Sequence, residues 1–144
     1  IAEFCQNHNG DFDLLTKMIE EAAEAGATHG KMQTIFADNL TFRPQFEEGL
    51  VQNGIVKSIK RPYSDEYKRL KGLEISYNET EKFIKICKGS GLIPMTTCFV
   101  RSHLKCLSDL GFTSMNQVMV ASNSSLKRLG EDWIVNLHLP LGQG

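Results

Sequence analysis

Residues that could carry out chemistry are concentrated in two short stretches near the start of the chain. The first, EFCQNHN at residues 3–9, combines a carboxylate, side-chain amides and an imidazole, and the second, KMQT at residues 31–34, adds an ammonium group. Such groups can bind an anion, hydrogen-bond a ligand rich in hydroxyls and move protons during a reaction. A further polar pair, Thr96-Thr97, lies in the segment IPMTTCF. We expect these three stretches to form one site.

Each of these residues also has a purely structural interpretation. Glu3 and Lys31 lie within predicted strands, where an unpaired charge is costly to bury, so they could form an ion pair that binds no ligand. Asn7 and His8 could simply hold the turn and begin the next helix. The spacings His-x-His and His-Glu-x-x-His do not occur in the sequence. A metal site made only of these residues is therefore weakly supported.

The elements that position these residues alternate between strand and helix. Residues 1–5 are short and mostly apolar, and residues 12–25 carry apolar positions at helical spacing. Asp11 is predicted to cap this helix, and Gly26 to close it in the left-handed conformation. Residues 28–33 predict a second strand, parallel to the first. Ligands bind at the carboxyl ends of parallel strands, so the polar stretches should converge there.

A long excursion separates this unit from the rest of the chain. Between Thr34 and about Pro62 the periodicity fails, and breakers such as Asn53-Gly54 predict an irregular segment that could form a site wall or lid. Ser76 and Glu79 then form a capping box that predicts a helix. Beyond it the pattern predicts strands at 92–97, 114–120 and 133–139 and helices at 102–110 and 124–129.

The sustained alternation predicts an α/β protein with a parallel sheet. Two architectures fit: a small doubly wound sheet, or the N-terminal part, about five strands, of a (β/α)8 TIM barrel. The last predicted strand runs almost to Gly144 with no covering helix, which favours a truncated barrel.

Composition excludes several classes of function. The 144 residues are 41% hydrophobic with a net charge of −1, and no dense basic block or long apolar run occurs. These features predict a globular protein of the cytoplasm that binds neither nucleic acid nor membrane. The four cysteines have no zinc-like spacing, so we expect reduced thiols, with Cys87 and Cys106 buried on helix faces.

The combined motifs resemble those of the N-acetylneuraminate (sialic acid) synthase family. AEFCQNHNGD, then EAAEAGA and KMQT, are similar to the family pattern AEIGxNHxGD…AxxAGAxxxKxQT, and GLIPMTTCF is similar to GIxFxSTPF. The resemblance covers Ile1 to about Phe112.

The resemblance implies a TIM-barrel enzyme that joins phosphoenolpyruvate to an N-acetylmannosamine-type sugar and releases phosphate. It implies that Glu3 binds the sugar and acts as the catalytic acid or base. Lys31 and Thr97 would contact phosphoenolpyruvate. The remaining residues implied to bind or shape the substrate site are Gln33, Asn7, His8 and Ser122.

The resemblance also implies a bound metal, further parts of the protein and a second subunit. A divalent metal, Mn or Mg, is expected in the full-length enzyme, with its ligands beyond Gly144 and none in this chain. Residues 1–144 would be the N-terminal part of the barrel domain, without the second barrel half and the antifreeze-like domain. The full-length protein is expected to be a homodimer, and this fragment alone to be inactive.

Several positions depart from the family pattern. Cys5 replaces a glycine, Cys98 replaces a proline, and residues 115–119 lack an expected second lysine. Two alternatives to an active synthase therefore stay open. One is a catalytically impaired relative that binds a sugar or phosphate, and the other is a different barrel enzyme, such as an aldolase that forms a Schiff base on Lys31.

Overall fold

A computed structural model of the chain describes residues 1–112 and 114–117, with Arg101 and Ser114–Gln117 described by their backbone alone. Within this part of the chain the elements are, in order, β1 (Ala2–Cys5), α1 (Phe12–Glu24), β2 (His29–Thr34), β3 (Leu50–Gln52), β4 (Ile55–Ser58), α2 (Tyr63–Lys71), α3 (Tyr77–Gly89), β5 (Ile93–Cys98), α4 (Leu104–Asp109) and β6 (Ser114–Gln117). Short 3₁₀ turns occur at Ala37–Asn39, Pro44–Phe46 and Arg101–His103.

The main sheet is parallel. Among the described residues it has four strands in the order β1-β2-β5-β6, and each neighbouring pair is parallel. The predicted α/β class and parallel sheet are confirmed, and this arrangement is consistent with part of a (β/α) barrel. The described residues divide into two compact units, one formed by residues 1–34 together with those from residue 75 onward and the other by residues 35–74.

Helix α1 begins and ends where the sequence predicts. The Asp11 side chain accepts hydrogen bonds from the backbone N–H groups of Asp13 and Leu14, at 2.9 and 3.0 Å. These are two of the N–H groups that a helix start leaves without intrahelical partners. Gly26 follows the helix at φ +82°, a conformation that glycine adopts without steric penalty. The cap therefore fixes the length of the loop that carries Gln6 to Gly10.

Helix α3 begins with the predicted capping box. The Ser76 hydroxyl accepts a hydrogen bond from the Glu79 backbone N–H, and the Glu79 carboxylate accepts one from the Ser76 backbone N–H. The inner face of α3 then contributes three side chains to the core, those of Phe83, Ile84 and Cys87.

The two faces of the sheet differ in chemistry. Successive residues of a strand point to opposite faces, and residues paired directly across parallel strands share a face. One face packs into the hydrophobic core and carries Phe4, Met32 and Cys98. The opposite face carries the polar side chains of Glu3, Lys31, Gln33 and Thr97, and one buried apolar side chain, Met95, is paired directly with Lys31. The sheet therefore separates the core from the predicted site.

Gly30 allows β2 to approach the core closely. A Cβ atom at this position would lie 2.9 Å from a ring carbon of Phe4, 3.3 Å from the sulfur of Cys87 and 3.3 Å from Leu92. The hydrogen atom of glycine leaves the room that these side chains fill. The packing therefore favours glycine at this position of β2.

The excursion after β2 is a folded unit rather than the irregular segment predicted. Strands β3 and β4 form an antiparallel hairpin, joined by Asn53 and Gly54 at φ +53° and +75°. Positive φ at both central residues is the geometry that favours an Asn-Gly pair in a two-residue hairpin turn. The dipeptide interpreted as a breaker is thus a hairpin signal.

Helix α2 was also absent from the predicted elements. Its three aromatic or aliphatic side chains stand at helical spacing among six polar or charged ones, and none of its residues is buried. Its charge order is nonetheless that of a helix, with Asp65 and Glu66 in the first turn and basic residues in the last. Within this unit, the Tyr67 hydroxyl donates to Asp38 at 2.6 Å and Glu74 accepts from the Ala37 N–H at 2.6 Å.

Other differences are at element boundaries. The helix predicted at 102–110 is a 3₁₀ turn followed by α4, and Gly111 ends it at φ +103°. Of the strand predicted at 114–120, residues 114–117 are observed. The helix predicted at 124–129, the strand predicted at 133–139 and Ser122 lie outside the described residues.

No helix in the described ranges is both long and apolar enough to cross a bilayer.

The packing around Gly30 gives a test of the fold. Replacing Gly30→Ala forces a methyl group against Phe4 and should lower the free energy of unfolding by about 1–3 kcal/mol, the usual cost of overpacking a core. Gly89→Ala is the matched control, because a Cβ there meets no atom within 4 Å. It should leave stability unchanged or raise it slightly. Urea denaturation of both variants measures the difference, and equal midpoints would contradict the proposed packing.

Candidate functional site

The centre of the candidate site is the ion pair between Glu3 and Lys31. The two residues are directly paired across β1 and β2, and the Lys31 ammonium lies 3.0 Å from Oε1 and 3.1 Å from Oε2 of the carboxylate. The Lys31 side chain is 11% exposed, whereas that of Glu3 is 47% exposed. The predicted proximity of the two residues is confirmed, and the carboxylate is the more accessible partner.

The asymmetry of exposure decides what the pair can do. A buried ammonium ion needs a counter-charge, because its desolvation costs several kcal/mol. Glu3 supplies that charge to Lys31 while its own carboxylate is half open to solvent. A ligand could therefore hydrogen-bond to the Glu3 carboxylate while the ion pair stays intact. An anion that reaches the Lys31 ammonium would either replace Glu3 as the counter-charge of Lys31 or act beside it.

A second pair of polar side chains ties the loop after β1 to β2. The Gln6 amide donates to the side-chain oxygen of Gln33 at 3.0 Å. Backbone hydrogen bonds close the same loop, from the N–H of Asn7 to the carbonyl of Phe4 and from the N–H of Asn9 to the carbonyl of Gln6, at 3.0 and 2.9 Å. Asn7 itself is exposed. The loop is thus held by its own hydrogen bonds beside Gln33.

His8 is buried within this loop. Its side chain is 1% exposed, and Nδ1 accepts a hydrogen bond from the Gly10 backbone N–H at 3.0 Å. Burial lowers the pKa of the imidazole, because the charged form loses its hydration. Protonation of Nδ1 would also place a proton against the Gly10 N–H. The neutral ring with its proton on Nε2 is therefore the form that fits.

The threonines of β5 divide between the two faces of the sheet. Thr97 pairs with Gln33 on the polar face and is buried. Thr96 lies on the opposite face, where its hydroxyl lies 2.7 Å from that of Thr34. The Thr34–Thr96 hydrogen bond is buried and links β2 to β5. These two threonines therefore have a structural role, and only Thr97 shares the face of Lys31.

The four cysteines are free thiols with different surroundings. Cys87 is buried in the core, and burial raises the pKa of its thiol to about 12. Cys98 is also buried and donates to the Val100 carbonyl at 3.1 Å. The prediction that Cys106 is buried is wrong, because it lies on the exposed face of the short helix α4. Cys5 is half-buried, with its sulfur 3.9 Å from Oε2 of Glu3.

In the sequence, Cys5 is marked only by its departure from the family pattern that the chain resembles. Its φ is +50°, in the left-handed region that favours glycine, and this explains a glycine at the matching family position. No periodicity reveals a positive φ at a cysteine, so its contact with Glu3 could not be found from the sequence.

The described residues do not form a recognisable metal site. Within residues 1–112 and 114–117, no group of three or more His, Cys, Asp or Glu side chains is arranged to hold an ion. The divalent metal implied by the family resemblance stays a prediction, and Glu3 is paired with Lys31 rather than with other metal-binding side chains.

The burial of His8 predicts a pH dependence of stability. A histidine whose folded-state pKa is lowered stabilises the fold fully above the unfolded value, near pH 6.5, and this contribution is lost as the pH falls below it. His8→Asn keeps an acceptor for the Gly10 N–H but removes the titration. The free energy of unfolding between pH 7.5 and 5.5 should thus fall less in this variant than in the parent. Equal slopes for the parent and His8→Asn would contradict the neutral buried ring.

Comparison with known proteins identifies relatives over most of the chain. The model of the NeuB family matches residues 18–127. The N,N'-diacetyllegionaminic acid synthase of Legionella pneumophila is 32% identical over 111 residues, which are 77% of this chain and 30% of that protein. A pseudaminic acid synthase of Campylobacter jejuni is 24% identical over 107 residues, 74% of this chain and 30% of its own length.

Solved structures show the same fold. The N-acetylneuraminic acid synthetase of Leptospira borgpetersenii aligns with a TM-score of 0.61 at 23% identity, covering 81% of this chain and 34% of that one. The spore coat polysaccharide biosynthesis protein spsE of Bacillus subtilis aligns with a TM-score of 0.53 at 21% identity, covering 81% and 28%. The chain thus spans about a third of the length of these relatives, and its match to the family model over residues 18–127 places it in the NeuB family.

Proposed function

We propose that this chain provides part of the substrate site of a synthase that condenses phosphoenolpyruvate with an N-acetylmannosamine-type sugar and releases phosphate. The observation that carries the proposal is the pair formed by the nearly buried Lys31 ammonium and the half-exposed Glu3 carboxylate. The relatives that make legionaminic and pseudaminic acids support the reaction class. The activity belongs to the protein at its full natural length, because the relatives are about three times longer.

Lys31 is proposed to hold the anionic substrate. Phosphoenolpyruvate carries a phosphate and a carboxylate, and a lysine on a rigid strand offers a fixed positive charge to either group. The ion pair with Glu3 keeps this charge compensated before the substrate arrives. Thr97 lies on the same face, two residues beyond the position that pairs with Lys31, and its hydroxyl is proposed to contact the same substrate.

Glu3 is proposed to bind the sugar. A half-exposed carboxylate can accept hydrogen bonds from two sugar hydroxyls and can move a proton at the aldehyde oxygen during bond formation. Gln33 and the loop with Asn7 and His8 would shape the site around it, with Gln6 fixing the orientation of the Gln33 amide. Ser122, the remaining proposed contact, lies outside the described residues.

The reaction assigns a role to each substrate. The enol carbon of phosphoenolpyruvate forms a bond to the sugar aldehyde carbon, water adds to the pyruvyl carbon, and phosphate leaves. A divalent metal, Mn or Mg, is proposed to polarise the aldehyde in the full-length enzyme. For the described residues, the proposed contribution is to bind and orient the substrates and to move a proton at Glu3.

The role of Lys31 is tested by neutralising it. In the protein at its full natural length, Lys31→Met should weaken phosphoenolpyruvate binding by about tenfold to a hundredfold, the value of one charge-assisted hydrogen bond, and reduce phosphate release accordingly. Titration calorimetry and a phosphate-release assay with manganese and N-acetylmannosamine measure the two effects.

Lys17→Met is the matched control, since Lys17 lies on the exposed face of α1. It should leave both quantities unchanged. Undiminished phosphoenolpyruvate binding by Lys31→Met would reject the assignment, and borohydride trapping of a substrate on Lys31 would indicate an aldolase instead.

A further inference from the structure

Cys5 has a backbone conformation that its residue type does not favour. It is the last residue of β1 and has φ +50°, and the pairing of β1 with β2 shifts register between Glu3 and Cys5. Among the described residues, the other non-glycine positions with positive φ are Asn9 and Asn53. Asparagine tolerates this region because its side chain bonds to nearby backbone, whereas cysteine gains no such compensation. Because strained residues are concentrated at functional sites, the Cys5 side chain is a candidate for a functional contact.

The Cys5 thiol contacts the same carboxylate oxygen that Lys31 contacts. Its sulfur lies 3.9 Å from Oε2 of Glu3, and the Lys31 ammonium lies 3.1 Å from that oxygen. Desolvation raises the pKa of the Cys5 thiol, the Glu3 charge raises it further, and the Lys31 charge opposes both. The group is therefore a protonated thiol at neutral pH, a weak donor that points its hydrogen toward an acceptor.

We propose that Cys5 is a positioning residue of the candidate site, whose thiol donates to Oε2 of Glu3 and restrains the carboxylate in the rotamer that reaches Lys31. Glu3 is half exposed, so without a second contact its side chain could swing toward solvent and release Lys31. The thiol supplies that contact from a neutral group, which leaves the charge balance of the pair unchanged. The consequence for the sugar rests on the proposed function, but the coupling of the thiol to Glu3 and Lys31 does not.

The coupling can be measured without any substrate, through the rate at which iodoacetamide alkylates Cys5 at pH 8. Removing the Glu3 charge in Glu3→Gln should lower the thiol pKa and speed alkylation at least about twofold, whereas removing the Lys31 charge in Lys31→Met should slow it. Peptide mass spectrometry follows each cysteine separately. A general loosening of the structure would speed both variants, so the opposite signs distinguish the coupling from unfolding.

The other cysteines are internal controls for this experiment. Cys106 is exposed and should react at the same rate in all variants, while buried Cys87 and Cys98 report unfolding if they become reactive. If Glu3→Gln exposes Cys87, Glu3→Asp replaces it, since the shorter side chain withdraws the carboxylate from the thiol and should also speed alkylation. An unchanged Cys5 rate, or shifts of the same sign in both variants, would overturn the proposal.

The effect on the sugar is tested by Cys5→Ala and Cys5→Ser in the protein at its full natural length. Both variants keep a Cβ at positive φ, so they share the backbone strain and differ only in the polar group. Cys5→Ala should raise the KM for the sugar about threefold, the value of a weak hydrogen bond, and Cys5→Ser should restore it.

The two experiments fail independently. If the parent protein releases no phosphate, the proposed function fails while the alkylation rates still decide the role of Cys5. If the parent is active and the two substitutions have equal KM values, Cys5 does not position Glu3 for the sugar.

Discussion

The register of β2 determines which side chains reach the core and which reach the candidate site. This strand is paired on both sides, with β1 through Glu3 and Lys31 and with β5 over six consecutive residue pairs. Met32 enters the core while its neighbours Lys31 and Gln33 lie on the polar face. A slip of one residue would move the ammonium group into the core and Met32 into the site. The close contact of Gly30 with Phe4 opposes such a slip, so the packing of the core also holds the site in place.

The Glu3–Lys31 pair links the stability of the sheet to its chemistry. Lys31 is too deeply buried to be tolerated alone, so its counter-charge is a structural requirement as well as the proposed ligand for the sugar. If Lys31 holds the anionic substrate as proposed, binding of that substrate changes the electrostatic partner of Glu3 and couples the two proposed binding events through one carboxylate. The ion pair holds both side chains in fixed positions on neighbouring strands, which preorganises the candidate site.

The parts of the structure governed by local chemistry could be predicted from the sequence. The Asp11 cap, the Ser76 capping box and the parallel sheet were found because helix starts and alternating periodicity are short-range signals, and strand pairing then brought Glu3 to Lys31. The elements within residues 35–74 were not predicted, because the hairpin strands are short and the apolar stripe of α2 has only three residues. The exposure of Cys106 and the positive φ of Cys5 depend on tertiary packing. Phosphoenolpyruvate, the sugar, the metal and the residue roles are still predictions from family resemblance.

The position of the hairpin unit in the chain has a consequence for how the sheet assembles. Strands β2 and β5 are neighbours in the sheet, yet residues 35–74 and helix α3 lie between them in sequence, so that Thr34 and Thr96 are 62 residues apart. Closing a loop of this length has an entropic cost, and distant parallel pairing slows folding. The hairpin and α2 make contacts within their own segment, so they can form before the sheet closes and shorten the flexible chain that must be closed. The polar face is complete only when β5, which carries Thr97, docks onto β2.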